Sequence, residues 1–312
     1  MTQESLSLPN ALLGRTVSPF LEMGAYEALW ADERATQKRV ADRFRDNPGA
    51  LPSELVPLED AERYARLVTQ LHVDHGLERF GVRVHQAGDY PAKLRDARHP
   101  VEVLQYAGIW ELTETRCVSV VGARKVSADG IRRTRKVAAL LASNGFTVTS
   151  GLAAGVDTAA HRAALELGKP TIAVIGTPLS ATYPSENAEL QERLARDHLV
   201  ISEVPVWRYF QQDWRANRGW FPLRNATMSA LTEATIIVEA SDTSGSLIQA
   251  RAALHQRRKL FILNSCFERT DITWPARFEE KGAIRVRRID DVLDILGSTA
   301  AAPEVHAMSL DS

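Results

Sequence analysis

Four short stretches of this 312-residue chain bring glycines, hydroxyls and charges together at spacings that could hold a phosphorylated ligand. In VVGARKVSADG an apolar run passes through Gly122 to Arg124 and Lys125, then to Ser127 in the place of a helix N-cap. Glycine permits close backbone approach, a helix start offers free N–H groups, and arginine adds a forked cation, which suits phosphate binding; the alternative is a structural turn, since the stretch is not GxGxxG. The second stretch, SGLAAGVDTAAH, holds Ser150, Gly151, Gly155, Asp157 and His161. Asp157 and His161 fall four apart on a predicted helix, within reach of each other, as a general-base pair or as structural support for a binding loop. No serine, cysteine or threonine nucleophile pairs with them, which favours support over catalysis, and no catalytic residue is assigned.

The third stretch, GWFPLRNATMSALTEATIIVEA, has Pro222 halting the chain before Arg224 and Asn225, which open a predicted helix leading to a strand that ends at Glu239. Arginine and asparagine at a helix start suit phosphate oxygens and a base or sugar edge; the alternative is an internal pair between Arg224 and Glu239. In the fourth, Thr243, Ser244, Gly245 and Ser246 form a hydroxyl-rich turn opening a helix, the composition of an anion nest. It lacks the Gly-Lys-Ser/Thr ending of a Walker-type loop.

These loops act together only if the fold brings them to one edge. From Cys117 onward short β-branched runs alternate with helical stretches: CVSVVG, FTVTS, PTIAVIG, LVIS, ATIIVEA, KLFIL and AIRVR are the strands. Hydrophobicity unbroken along each run marks strands covered on both faces, so an α/β fold with a Rossmann-like, doubly wound, mostly parallel sheet is expected. Ligands of such sheets bind at the carboxyl ends of the strands, where all four stretches fall. Before this core, apolar residues three and four apart over residues 10–80 predict a small helical domain (1–80). Pro91 and Pro100 interrupt a connecting segment (81–115) with one or two strands. The core is placed at 116–296, and a small, polar, disordered tail at 297–312.

Composition narrows the classes. With 45% hydrophobic and 25% charged residues the chain can bury a core, and it has no apolar stretch long enough for a membrane span and no signal-peptide pattern at its start. A cytoplasmic protein is expected. Cys117 and Cys266, its two cysteines, read as buried reduced thiols, and its eight histidines show no HExxH pattern, so neither metal nor cofactor is expected. Residues 116–296 carry 25 Lys and Arg against 19 Asp and Glu, while the remainder carries 13 against 20, the balance either of an anion-binding core joined to an acidic module or of charges spread evenly over a solvated surface.

VGAR, SGLAAGVDTAAH, TIAVIG with YPSEN, ISEVP, FPLRNATMSALTEATIIVEA and SGSLIQARAAL stand in an order that resembles the DNA-processing protein A family (DprA, also called Smf). The resemblance covers about Tyr90 to Leu296. It implies a Rossmann-like core that binds single-stranded DNA as a homodimer and hands it to a RecA-type recombinase, in DNA uptake, repair or defence. On that pattern Arg124, Arg224 and Asn225 meet phosphates and nucleotides, and the glycines of SGLAAG and SGS let the backbone come close. The chain departs from the pattern at Ala226 and Ala230 after FPLRN, at Gln249, and at Asn264, Ser265 and Cys266, and a C-terminal winged helix is not expected.

Two other readings compete. A nucleotide sensor or N-glycosidic hydrolase on the same fold would use the turn at Ser244 to Ser246, with Glu239 as its acid. A pure interaction module would be indifferent to Arg124 and Arg224. Trp207, Tyr209, Phe210, Trp214, Trp220 and Phe221 could stack on unpaired bases or fill a core or dimer face.

Overall fold

The computed structural model describes residues 17–297. The expected tail from residue 298 onward lies outside the described residues. Three helices lead: α1 (Pro19–Ala31), α2 (Gln37–Asp46) and α3 (Leu58–Asp74). Pro19 opens α1 at a position that needs no N–H donor, and Thr36 caps α2 by accepting from the Arg39 amide at 3.2 Å. β1 (Gly81–Val84) and β2 (Val103–Gly108) follow, within the stretch expected to connect the domains. Both join the main sheet, β1 antiparallel to β2 and β2 antiparallel to β6 (Leu199–Ser202).

The other strands are β3 (Cys117–Val121), β4 (Thr147–Ser150), β5 (Thr171–Ile175), β7 (Ala234–Ile237), β8 (Lys259–Leu263) and β9 (Ile284–Val286). The sheet order is β1-β2-β6-β5-β4-β3-β7-β8-β9, and every pairing from β6 to β9 is parallel. All seven apolar runs are therefore strands of the doubly wound sheet expected from them. Helices α4 (Ala128–Ser143), α5 (Val156–Glu166) and α13 (Asp291–Leu296) cover one face, packing Val137, Leu141 and Ala160 on Val118 and Val120. On the other, Met228, Leu231 and Leu247 of α9 (Trp220–Leu231) and α10 (Ser246–His255) pack on Val121, Val174 and Ile237. Burial on both faces accounts for the unbroken hydrophobicity.

The strand order reverses between β3 and β7, where the connections leave to opposite sides and open a crevice at the carboxyl ends. Along one side of it run α7 (Val206–Gln211), α8 (Trp214–Asn217) and the start of α9, with α6 (Ala188–Asp197) preceding β6. Pro222 does not halt the chain: it lies in the first turn of α9, where its missing N–H costs no helical bond. The leading helices share a core with this side and with the sheet edge, through Tyr26, Trp30, Val68, Val82, Val103, Val206 and Trp220. The short helices α11 (Asn264–Phe267) and α12 (Trp274–Glu279) separate β8 from β9. No helix among the described residues is long and apolar enough to cross a membrane.

Candidate nucleic-acid interface

The crevice is built first by the loop after β3. A Cβ on Gly122 would fall 2.6 Å from Val156 Cγ2 and 2.7 Å from the Glu239 carbonyl oxygen, so close packing of the loops after β3 and β7 demands the glycine without any ligand. Ser127 caps α4 as expected, its Oγ accepting from the Gly130 amide at 2.9 Å. Glu239 completes the cap: its Oε1 accepts the Ser127 amide at 3.0 Å, and its Oε2 accepts the Ser127 hydroxyl at 2.6 Å. The helix start that follows the first strand of a Rossmann-like core, ordinarily a pyrophosphate site, is filled here by the protein's own carboxylate. Both Glu239 oxygens being committed, it neither pairs with Arg224 nor stands free as an acid for N-glycosidic cleavage. Arg124 and Lys125 are exposed beside it.

After β4 the residues turn inward. Ser150 is buried and donates its hydroxyl to the Val120 carbonyl at 2.6 Å, tying β4 to β3 instead of facing the crevice. Gly155 has φ +82°, and a Cβ there would strike the carbonyls of Ala123 and Arg124, so the loops after β3 and β4 touch backbone to backbone. Asp157 accepts the Ala153 amide at 3.3 Å; burial pushes its carboxyl up while the nearby Arg224 guanidinium pulls it down. His161 does not meet Asp157. Its Nδ1 lies 2.8 Å from Thr171 Oγ1, whose hydroxyl donates to the Val148 carbonyl at 2.7 Å. Thr171 must therefore accept from Nδ1–H, which leaves Nε2 unprotonated, and burial pushes the imidazole down to about 3. The two residues share a helix but bind different elements, a loop and a strand, which is support and no dyad.

Arg224 is 4% exposed. Its Nη1 donates to the Gly151 carbonyl at 2.7 Å and to the Val174 carbonyl, and its Nε donates to Asn225 Oδ1 at 3.0 Å. It rivets the carboxyl ends of β4 and β5, leaving Nη2 as its one nitrogen without a protein acceptor among the described residues. Gly151 is a glycine because this guanidinium occupies the space of a side chain. Asn225 passes the connection on, donating Nδ2 to the Gly245 carbonyl at 3.1 Å. Burial holds the Arg224 pKa below the usual arginine range.

Three of the aromatics proposed for stacking are taken up by other rings: buried Trp220 packs edge-on against Trp30 at 5.2 Å, half-buried Trp207 against Tyr64 at 5.9 Å, and half-buried Phe210 lies on His75 at 4.2 Å. Tyr209, Phe221 and Trp214 line the crevice, Trp214 being 64% exposed with the Arg218 guanidinium over its ring. Across from it the Arg124 guanidinium stands 5.3 Å from the Phe221 ring and 5.6 Å from that of Tyr183. Tyr183 and Arg218 escaped the sequence reading; the usable signal was an aromatic next to proline after β5 and an arginine among the aromatics before FPLRN.

Together these groups enclose a cleft of about 920 Å³, lined by Gly122, Arg124, Lys125, Tyr183, Trp214, Arg218, Phe221 and Ser244 to Ser246, among others. The helices that follow β3, β4 and β7 start at its rim. α4 and α5 carry Asp129 and Asp157 in their first turns, whereas α10 carries no acid there. A Cβ on Gly245 would meet nothing within 4 Å, and the Ser244 and Ser246 hydroxyls share a 2.7 Å hydrogen bond beside it. Of the helices that follow β3, β4 and β7, α10 is thus the one whose positive end is open to an added anion.

Comparison with known proteins accords with this geometry. Residues 81–297 match the family model described as DNA recombination-mediator protein A. DNA processing protein DprA of Streptococcus pneumoniae is 36% identical over 202 residues, which is 65% of this chain and 69% of that protein. Protein Smf of Synechocystis is 39% identical over 179 residues, 56% of this chain, and the match spans 44% of the Smf length. The X-ray structure of the S. pneumoniae protein superposes with a TM-score of 0.66 at 26% identity, covering 92% of this chain and all (100%) of that one. DNA processing protein A from Helicobacter pylori, whose structure was described for its single-stranded DNA binding mode, superposes with a TM-score of 0.59 at 28% identity, covering 70% and 95%. The resemblance carried by VGAR, SGLAAG and FPLRN thus extends through the whole sheet, and the chain belongs to the DNA recombination-mediator protein A family.

Proposed function

We propose that this chain binds single-stranded DNA in the cleft at the sheet's switch point. Phosphates lie on Arg124, Lys125, Arg218 and the start of α10 at Ser244 to Ser246, and unpaired bases stack on Tyr183, Phe221 and Trp214. The observation that carries the reading is the exposed Arg124 guanidinium held over two aromatic rings at the mouth of the cleft, a pairing of cation and π-face that serves both parts of a single strand. Gly122, Ser150, Gly151, Gly155, Asp157, His161, Arg224 and Asn225 shape the edge on which those groups stand. The single-stranded DNA binding described for the H. pylori protein supports the assignment.

The family's description as a recombination mediator supports delivery of the strand to a RecA-type recombinase; we propose that a cytoplasmic homodimer does so. The hydrolase alternative is disfavoured by the commitment of both Glu239 oxygens to Ser127. Titration of a labelled single-stranded oligonucleotide, with a duplex of equal length as control, tests the reading. Preferential single-strand binding that weakens with salt is expected; equal or stronger duplex binding would overturn it.

A further inference from the structure

The outer wall of the cleft is fastened to a different part of the molecule from its inner wall. Arg124, Lys125 and the α10 start extend directly from the parallel sheet, and Phe221 packs on Gly176 after β5, but Tyr209, Trp214 and Arg218 ride on α7, α8 and the turn after it. Among the described residues, every hydrogen bond that leaves 206–219 through a side-chain donor or acceptor ends on α1 or the turn after it. Glu27 of α1, 2% exposed, accepts the Val206 amide at 2.7 Å on Oε1 and the Trp207 amide at 3.1 Å on Oε2, capping α7. Arg208 of α7 answers by donating Nη1 to the carbonyls of Trp30, Asp32 and Ala35, at 3.2, 3.2 and 2.9 Å, satisfying the end of α1. Glu27 thus supplies acceptor oxygens to the open amides of α7, and Arg208 a positive charge and donors to the carbonyls that end α1. The ring contacts Trp30 to Trp220, Tyr64 to Trp207 and His75 to Phe210 extend the same joint.

We propose that Glu27 and Arg208 are positioning residues for the nucleic-acid cleft: the leading helical bundle holds the aromatic wall at its working distance from Arg124, and strand affinity depends on this joint although neither residue touches the strand. The inference rests on the cleft being the single-strand site. Loosening the joint leaves the sheet side intact and lets Trp214 and Arg218 drift, so that stacking on Trp214 is lost while the phosphate contacts of Arg124 and Lys125 stay.

The test is a titration of the full-length protein with labelled oligothymidylate, comparing wild type with Arg208→Met and Glu27→Gln. Each variant is also combined with Trp214→Ala on the moving wall and with Arg124→Ala on the fixed one. The expected result is a three- to tenfold loss of affinity, roughly the range of coupling through residues outside a site. That loss shrinks in the Trp214→Ala background and persists in the Arg124→Ala background. Amide hydrogen exchange rises across residues 206–219 and is unchanged in β3. If Arg208→Met fails to fold, Glu27→Gln, which keeps the shape and one acceptor oxygen, carries the comparison. Wild-type binding that Arg124→Ala weakens, with Glu27→Gln and Arg208→Met both binding as tightly as wild type, overturns the inference alone. So does a loss of equal size in both backgrounds. A wild type that ignores the oligonucleotide overturns the cleft reading and the inference with it.

Discussion

Arg124→Ala separates a phosphate contact from a structural one. The guanidinium's one recorded hydrogen bond is a 3.5 Å contact to the Tyr183 hydroxyl, and its other partners are the faces of Tyr183 and Phe221. Removing it strands no buried acceptor and forfeits an exposed cation–π contact, so stability changes by about 1 kcal/mol at most. Binding responds more. A charge-assisted hydrogen bond to phosphate contributes roughly 1.5–3 kcal/mol, a loss of about tenfold or more at low salt. Each phosphate neutralised on a single strand adds about 0.7 to the slope of log affinity against log salt. Deleting one contact therefore makes the slope shallower by that amount, and the gap between variant and wild type closes about fivefold over a tenfold rise in salt. Fluorescence anisotropy of a labelled oligothymidylate at four or five salt concentrations, with Tm in parallel, measures both quantities. Coincident lines would refute the assignment of Arg124. Parallel but displaced lines would refute the phosphate mechanism, placing the effect in the packing of Tyr183 and Phe221. Arg124→Lys, which keeps the charge and loses the planar fork, should restore the slope and only part of the affinity.

Arg224→Ala behaves in the opposite way: the carbonyls of Gly151 and Val174 lose their donor and Asp157 its neighbouring cation, so stability falls by about 3 kcal/mol or more in chemical denaturation. A variant of wild-type stability that no longer bound the strand would reverse this assignment. Gly155→Ala meets a φ of +82° and two backbone carbonyls, costing roughly 1–3 kcal/mol; an unchanged Tm would show that the loop relaxes freely. Two buried groups tilt the pH dependence in opposite senses. Folded His161 titrates near 3 against an ordinary 6.5, so below about pH 6.5 the unfolded chain takes up a proton the folded one refuses. Stability then falls with pH by at most about 1.4 kcal/mol per unit, and His161→Gln should flatten that limb. Glu203 is pushed by burial up to about 7 from 4.5, so stability declines as pH rises through that window, and Glu203→Gln should remove the decline. Unaltered pH–stability curves in both variants would refute the burial argument.

The sheet was legible because its strands are covered on both faces: runs such as CVSVV and TIAVI are buried at every position, and no surface alternation blurs them. The edge was not. β1 is four residues, GVRV, and its place beside β2 is set by pairing across the chain, which no local pattern records. At the site, the four loops were found but their residues divide in a way that residue type does not reveal. Gly122, Ser150, Gly151, Arg224 and Asn225 face their own backbone, while Arg124, Lys125 and Gly245 face outward. Small and polar residues at strand ends serve both purposes. The division depends on how α9 lies over the ends of β4 and β5, which buried contacts of Trp220 and Met228 decide. Glu239 makes the functional difference. A carboxylate fixed at the start of α4 repels the pyrophosphate that such a helix usually attracts, so the cations that remain are flexible side chains on the outer rim and the far helix start. Cations spread around an open rim, interleaved with exposed rings, fit phosphates that recur along a strand better than one anion buried at a point.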